Sequence, residues 1–340
     1  MDKTIFSCLV IISMIEVSAT SSCNITDNDN CFYTVNCDIP AKINTVPGCD
    51  YTDPYITLVI KESPAHNVIE NFFNTKFDEY VRIITAVGNR WDAVQNNAFS
   101  NFKNVLYMDL SENGIKSIGK AFIGLGQLDS LNLSRNLLEA IKPEVFTFSE
   151  NKNRLSLLDL SYNLLTYLPE DVFVNIYNLR KLNLQGNKLT TLGDQFLTNL
   201  KNLNSLNLCC SNFTTFNITL KNFKSLRELD LSHNHLKDID LSEVVFLETI
   251  NLSHNDIVEF NFDYLNQFPN IEELDLSFNK LKKIYGSTSI KKFKFINDIN
   301  IDQTFENTFN SNGLLDFNYN EIAEFKLRRH TQADDYRDDF

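Results

Sequence analysis

One pattern of leucines and asparagine recurs along this chain, and it constrains the fold more than any other feature. The pattern, L-x-x-L-x-L-x-x-N-x-L, occurs in eight successive copies whose asparagine positions lie 21 to 27 residues apart. A period of this length indicates a solenoid, in which each copy buries its apolar edge against its neighbours. We call the asparagine position of each copy the slot. The slot residues are Asn113, Asn136, Asn163, Asn187, Ser211, Asn234, Asn255 and Asn279.

Weaker copies continue the array on both sides. "YITLVIKES" and "VRIITAVGNRW" precede the eight copies, and "INDINIDQTF" and "LLDFNYNEI" follow them. Each copy predicts a short strand, a turn at the slot and a return segment. We therefore predict an α/β repeat, with parallel strands about 4.8 Å apart in one curved sheet on the concave side. Loops and short helical turns are expected on the convex side.

These repeats resemble the extracellular class of leucine-rich repeat proteins, with roughly 24 residues per copy, over about Tyr55 to Ile322. The resemblance implies a solenoid whose concave sheet grips other proteins. It also implies an N-terminal disulfide cap, for which the best pairing is Cys23–Cys37 and Cys31–Cys49. The phenylalanine- and asparagine-rich style is similar to secreted insect repeat proteins, including those of mosquito innate immunity.

The N-terminus predicts secretion. Lys3, the apolar run Ile5–Ile15 and the small residues Ser18 and Ala19 are typical of a signal peptide. No later apolar run approaches the ~18 residues of a membrane span. We divide the chain into a signal peptide (1–19, with Cys8), a cysteine-containing cap (20–54), the solenoid (55–325) and a charged tail (326–340).

The net charge of the chain and its lack of catalytic motifs exclude several classes of function. The net charge of −13 and the pI near 4.9 argue against nucleic acid, whose phosphates an acidic protein repels. The sequence contains no G-x-S-x-G, H-E-x-x-H or phosphate-loop motif, so we expect no enzyme activity and no cofactor.

The candidate ligand surface is the concave face, where the residue between the two inner leucines points outward. Its column consists of aspartate and asparagine, and the last three copies add glutamates against Arg227 alone. This composition favours a basic partner, although aspartate and asparagine are also the ordinary consensus of the family here. The candidate residues are Asp109, Asp159, Glu228, Asp230, His233, Glu248, His254, Glu273 and Asp275.

The copy "LNLCCSNF" departs from the others. Ser211 is predicted in its slot, because Phe213 and Phe216 then take the apolar positions two and five residues later. Cys209 and Cys210 have adjacent Cα atoms about 3.8 Å apart, below the usual disulfide range of about 4.4–6.8 Å. Three states stay open: two thiols, a vicinal disulfide, or a disulfide to a partner chain.

Cys210 also shares one repeat position with His233 and His254, so the three should stack in a column. No fourth ligand is visible, and we predict no metal site. The two histidines would repel each other when protonated, which makes the pair a candidate pH-sensitive spot, with inert surface histidines as the alternative.

Five sequons are candidate glycosylation sites, and sugar on the concave face would move binding to the flanks, the convex side or the termini. They are Asn24, Asn132, Asn212, Asn217 and Asn251.

These features predict a secreted, non-catalytic protein that binds a protein or glycan ligand on its repeats, in innate immunity by resemblance. The alternatives are a cell-adhesion or developmental ectodomain, as in a truncated receptor, and an extracellular matrix component.

Overall fold

The computed structural model describes residues 23–27, 32–37, 56–60, 67–68, 78–148, 153–193, 199–216, 224–241, 246–261, 263–264, 268, 270–281, 283–285 and 294–296. The chain divides into two compact units. The first comprises Met1–Lys188 and Gln195–Leu203, and the second comprises Leu189–Asp194 and Asn204–Phe340.

The first unit is built on two sheets of short strands. The strands are β1 (Cys23–Asp27), β2 (Phe32–Cys37), β3 (Ile56–Ile60), β4 (Asn67–Val68), β5 (Val81–Thr85), β6 (Ala93–Val94), β7 (Tyr107–Asp109), β8 (Ser117–Ile118), β9 (Ser130–Asn132), β10 (Leu157–Asp159) and β11 (Lys181–Asn183). The main sheet has the order β1-β2-β3-β5-β7-β9-β10-β11, and β4, β6 and β8 form a second parallel sheet. Asp78–Tyr80 and Pro143–Phe146 are single turns of 3-10 helix.

The second unit repeats this plan. Its strands are β12 (Ser205–Asn207), β13 (Glu228–Asp230), β14 (Thr249–Asn251), β15 (Glu259–Asn261), β16 (Glu273–Asp275), β17 (Lys283–Tyr285) and β18 (Lys294–Ile296). The main sheet runs β12-β13-β14-β16-β18, all parallel, while β15 and β17 pair separately. Each unit is therefore a parallel-sheet solenoid, as the repeat predicts.

The leucines of the pattern form the core. The middle residue of every three-residue strand between β7 and β16 is at most 2% exposed, as Met108 and Leu131 show in the first unit and Leu229 and Leu274 in the second. Phenylalanines fill the return side, where the rings of Phe99 and Phe122 lie 6.4 Å apart and nearly parallel. Burial of this kind is shared between neighbouring copies, so no copy has a core of its own.

The slot asparagines join successive copies through backbone hydrogen bonds. Asn136 Nδ2 donates to the carbonyls of Leu110 (3.0 Å) and Leu133 (3.0 Å), and its Oδ1 accepts from the amide of Ile115 at 3.1 Å. Its side chain thereby satisfies buried backbone groups that the turn leaves without a sheet partner. The same arrangement recurs at the slots Asn163, Asn187, Asn234, Asn255 and Asn279.

Several sequence predictions concern residues outside the ranges that the structure describes. Strands β1 and β2 are antiparallel, and their register sets Cys23 opposite Cys37. Their side chains, together with Cys31 and Cys49, lie outside the described residues, so the disulfide cap stays a prediction. The predicted signal peptide (1–19), the tail 326–340 and the weaker copy "LLDFNYNEI" lie outside them as well.

Candidate functional site

The surface that the repeats offer is the outer face of each sheet, formed by the first and third residues of the strands. The third residues align in register within each unit, as predicted. They are Asp109, Asn132, Asp159 and Asn183 in the first unit, and Asn207, Asp230, Asn251 and Asp275 in the second.

These third residues also hold the turn, which the sequence interpretation missed. Asp109 Oδ1 accepts the amide of Ser111 at 2.9 Å, and Asp275 Oδ1 accepts that of Ser277 at the same distance. Asp230 Oδ1 accepts both the amide and the hydroxyl of Ser232. One carboxylate oxygen of each aspartate therefore serves the fold, and the charge is left for the surface. The family preference for aspartate or asparagine here was the available signal.

The outer face of the second unit contains an acidic groove of about 440 Å3. Four predicted ligand residues line it together: Glu228, Asp230, Glu273 and Asp275. The predicted Glu248 instead pairs with Arg227, whose Nε lies 3.2 Å from its carboxylate. We call the groove with its four carboxylates the acidic face. Asp109 and Asp159 belong to the first unit.

The residue just before each slot has an unusual backbone, and we call it the shoulder residue. Its φ is positive in every described full copy, between 52° and 68°. The left-handed conformation disfavours side chains with a Cβ, yet only Gly186 among these eight residues is glycine. The shoulders are Glu112, Arg135, Tyr162, Gly186, Cys210, His233, His254 and Phe278.

Shoulder side chains stack because the sheet hydrogen bonds continue through them. The amide of His233 donates to the carbonyl of Ser253 at 3.0 Å, and the amide of His254 donates to that of Ser277 at 2.9 Å. Successive shoulders are thus held in step, one copy apart, and their side chains leave the backbone in the same direction. This geometry is not readable from the leucine period.

In the first unit the shoulder column combines ionic and aromatic contacts. Arg135 Nε lies 3.9 Å from a Glu112 carboxylate oxygen, and its guanidinium stands 4.7 Å from the ring centre of Tyr162. The ring of Tyr162 covers Gly186, where an added Cβ would meet it at 2.6 Å. The column therefore includes one cation–π contact, on an exposed edge.

In the second unit the shoulder column is a stack of flat rings. The ring centres of His233 and His254 are 4.0 Å apart with a 10° angle, and those of His254 and Phe278 are 4.1 Å apart with a 13° angle. The predicted stacking of the two histidines is thus seen, and Phe278 extends it. Burial is the main cause that lowers the pKa of His254, and His233 lowers it further, while Asp275 opposes both.

A separate column of charged residues lies in the second unit, two residues after each shoulder and directly after the slot. Lys280 Nζ is 2.6 Å from Asp256, and His235 Nδ1 is 3.7 Å from the same carboxylate. The hydrogen bond from Lys280 is the main cause that lowers the pKa of Asp256. This cluster stands on the solvent side, so salt screens it strongly.

The unusual copy at 206–213 has the predicted register. Ser211 is buried in the slot, Phe213 and Phe216 are buried, and Asn212 is exposed. The Ser211 hydroxyl reaches the carbonyl of Cys209 at 3.5 Å. Cys209 is buried at the position that holds serine in most copies, and the structure joins it to Cys210 in a vicinal disulfide.

The sequons differ in their surroundings. Asn132 and Asn251 are half-buried on the outer sheet faces, and their Oδ1 atoms accept the amides of Ser134 and Ser253. Glycosylation uses Nδ2, so these bonds do not exclude it. The side chain of Asn24, and Asn217 altogether, lie outside the described residues.

Within the ranges that the structure describes, no three His, Cys, Asp or Glu side chains cluster as metal ligands. In those same ranges no helix has the length and apolar character needed to cross a bilayer.

Known sequences place these features in a family. The profile described as "Leucine rich repeat" matches residues 80–138, 130–189 and 177–236, and that for "Leucine Rich repeats (2 copies)" matches 224–262. This chain belongs to the leucine-rich repeat family. The matches cover more than half of the sequence and include the slots from Asn113 to Asn255.

Relatives of this leucine-rich repeat chain are distant and longer. The zebrafish (Danio rerio) "Transforming growth factor beta activator LRRC33" is 28% identical over 224 residues, which is 60% of this chain and 32% of that protein. "Adenylate cyclase" of Schizosaccharomyces pombe is 28% identical over 152 residues, 44% of this chain and 7% of that protein. The chain thus spans a third or less of these relatives.

A solved structure with a similar fold is the one titled "Crystal structure of TLR13-ssRNA13 complex". It superimposes with a TM-score of 0.60 at 20% identity, covering 72% of this chain and 40% of that one. At this identity the likeness supports the solenoid fold alone.

Proposed function

We propose that this chain is a secreted, non-catalytic recognition protein that binds a basic protein segment on the acidic face of its second unit. The observation that carries the proposal is the convergence of Glu228, Asp230, Glu273 and Asp275 on one groove of the outer sheet face. Complementary charge steers such partners and aligns them. Arg227 does not offset these charges, because it already pairs with Glu248.

The comparisons support a binding role, and the charge favours one ligand class. One relative is named an activator of a growth factor, and the similar fold was solved with single-stranded RNA. A net charge of −13 repels phosphates, so we propose a protein ligand for this chain and not RNA. A glycan ligand is the second candidate within the same role.

The binding test uses the full chain and a lysine-rich peptide as the probe, measured by calorimetry. Glu228→Gln with Glu273→Gln should weaken binding about tenfold or more, since close charge pairs at interfaces couple by about 1.5 kcal/mol or more. Asp230 and Asp275 are left intact because they hold the turns. Glu170→Gln with Asp171→Gln, two exposed residues of the first unit, is the matched control. Equal loss in both double variants, or no binding by the wild type, would refute the proposal.

Secretion and immune context are parts of the proposal with tests of their own. Cultured eukaryotic cells that express the full chain should release into the medium a product whose first residue is Thr20, and deletion of 1–19 should abolish release. Induction after infection and circulation in body fluid would support immunity. A longer transcript with a membrane span would support the receptor alternative, and self-assembly without ligand would support the matrix role.

We also propose that Cys209 and Cys210 are bonded to each other and not to a partner chain. Non-reducing electrophoresis should show a monomer, and its mobility should not change with Cys209→Ser or Cys210→Ser. A band of twice the mass that disappears in either variant would establish the covalent partner instead.

A further inference from the structure

The stacked histidines of the second unit form a titratable pair at the border of the acidic face. Their ring centres are 4.0 Å apart and nearly parallel, and His254 is sandwiched between His233 and Phe278. The backbone enforces this contact, since both histidines hold the left-handed shoulder conformation and donate to the next copy. The pair is therefore a fixed feature of the fold and not a chance encounter of two mobile side chains.

Charged groups face this pair from every neighbouring copy. Asp275, the third residue of β16 and part of the acidic groove, acts directly on His254. Asp230 stands three residues before His233 in the same groove. Two residues past the shoulders stand His235, Asp256 and Lys280, and Asp256 pairs with both of the others. The stack neighbours Cys210 and Phe278 are uncharged.

Protonation changes what this pair does to its surroundings. Two neutral imidazoles stack without penalty, and one proton is accommodated beside Asp275. A second proton places two like charges about 4 Å apart, which electrostatics strongly disfavours. Burial and the neighbouring His233 already lower the pKa of His254. Protonation of His254 is therefore disfavoured in the stack, and acidification places positive charge beside Asp275.

We propose that the His233–His254 stack is a proton-operated control of the acidic face, which holds a cationic partner at neutral pH and releases it at acidic pH. The proposal rests on the proposed function, because it names the regulation of that same face. Each proton taken up adds a positive charge at the edge of the groove that four carboxylates line. The potential that attracts the partner weakens, and it does so in the pH range of histidine.

The first test needs no ligand. Histidine carbon-13 NMR on the full chain follows the titration of His254 in the wild type and in His233→Phe. Phenylalanine keeps a flat ring at this position, as Phe278 already shows at φ 53°, and removes only the charge. The His254 titration should move to higher pH in His233→Phe. His235→Phe, in the neighbouring charged cluster, is the matched control and should leave it in place. An unmoved His254 in His233→Phe would overturn the proposal.

The second test measures release. The lysine-rich peptide should bind the wild type about tenfold more weakly at about pH 5.5 than at about pH 7.4, a coupling of ordinary size. The double variant His233→Phe with His254→Phe should lose most of that difference, taken as the ratio of its own two dissociation constants. Equal pH dependence in wild type and double variant would overturn the control and leave the acidic-face function standing. Absence of binding by the wild type at both pH values would refute the function and the control together.

Discussion

The shoulder columns of the two units share one backbone and carry different chemistry. Both hold their residues at positive φ, one copy apart, just before a slot. The first unit fills the positions with an ion pair, a cation–π contact and a glycine under a tyrosine ring. The second fills them with a cysteine and three stacked rings, two of which are imidazoles.

This difference separates what the repeat dictates from what it leaves open. The slot residue must form hydrogen bonds with buried backbone groups, and the inner leucines must fill the core. Few residue types therefore fit at these positions. The shoulder side chain faces solvent and its neighbours in the column, so any residue that tolerates the left-handed backbone is accepted. Function is therefore expected at the shoulders and on the outer sheet face, where the two units diverge.

The largest expected effect tests whether both columns depend on the slots beside them. Asn163→Ala and Asn255→Ala each remove hydrogen bonds to three carbonyls and from one amide of the backbone. Each should lower the free energy of unfolding by about 3 kcal/mol, since an unpaired buried group costs about 1–3 kcal/mol. Urea unfolding followed by circular dichroism measures the loss, with the exposed Asn175→Ala as control. Losses no larger than that of the control would show that the slots do not support the columns.

The next largest effect is the loss of stability expected when a side chain is added at Gly186, beneath the ring of Tyr162. Gly186→Ala places a methyl group 2.6 Å from Tyr162, while Gly88→Ala, at nearly the same φ, meets nothing within 4 Å. The backbone alone should cost about 1 kcal/mol in Gly88→Ala, and Gly186→Ala should cost about 2–3 kcal/mol because the ring must move as well. Adding Tyr162→Ala should remove the excess in a double-mutant cycle. Equal losses of unfolding free energy in Gly186→Ala and Gly88→Ala would mean that the Tyr162 ring moves away without a cost in stability.

The sequence predicted the features that the repeat determines better than the features that the local turn determines. The repeat, the slots and the burial of Phe213 and Phe216 were all readable, because period and apolarity determine which residues point inward. The stacking of His233 on His254 was readable as well, since equal repeat positions in successive copies become neighbours.

The missed features share a physical cause. The positive φ of the shoulders, the contact between Arg135 and Tyr162, and the addition of Phe278 to the histidine stack depend on a local turn that no periodicity encodes. The turn bonds of Asp230 and Asp275 were missed for the same reason, and the carboxylates were interpreted as surface charge only. They are both, because one carboxylate oxygen of each serves the turn.

A smaller effect concerns the one slot without an asparagine. Ser211 offers a hydroxyl bond of 3.5 Å where Asn234 offers an amide with bonds of 3.0 Å to two carbonyls. Ser211→Asn should raise the free energy of unfolding by about 1 kcal/mol, the net value of a typical hydrogen bond. Urea unfolding measures the gain, and Thr215→Asn at an exposed site should change nothing. A loss of stability would mean that the space beside Cys209 and Cys210 admits no larger side chain.

The smallest effect is the pH dependence that only the second column should confer. The pKa of His254 lies below its ordinary value of 6.5 in the folded chain, so the unfolded chain binds this proton more readily. Stability is therefore complete above about pH 6.5 and falls as the pH drops through the folded-state value. His254→Phe should flatten this part of the stability curve, measured as urea midpoints between about pH 5 and about pH 8. Arg135→Gln, in the column that holds no histidine, should leave the slope unchanged, because the guanidinium stays charged throughout this range. If the urea midpoint of His254→Phe still changes with pH as in the wild type, the pH dependence arises from other groups. The two shoulder columns would then not differ in their response to pH.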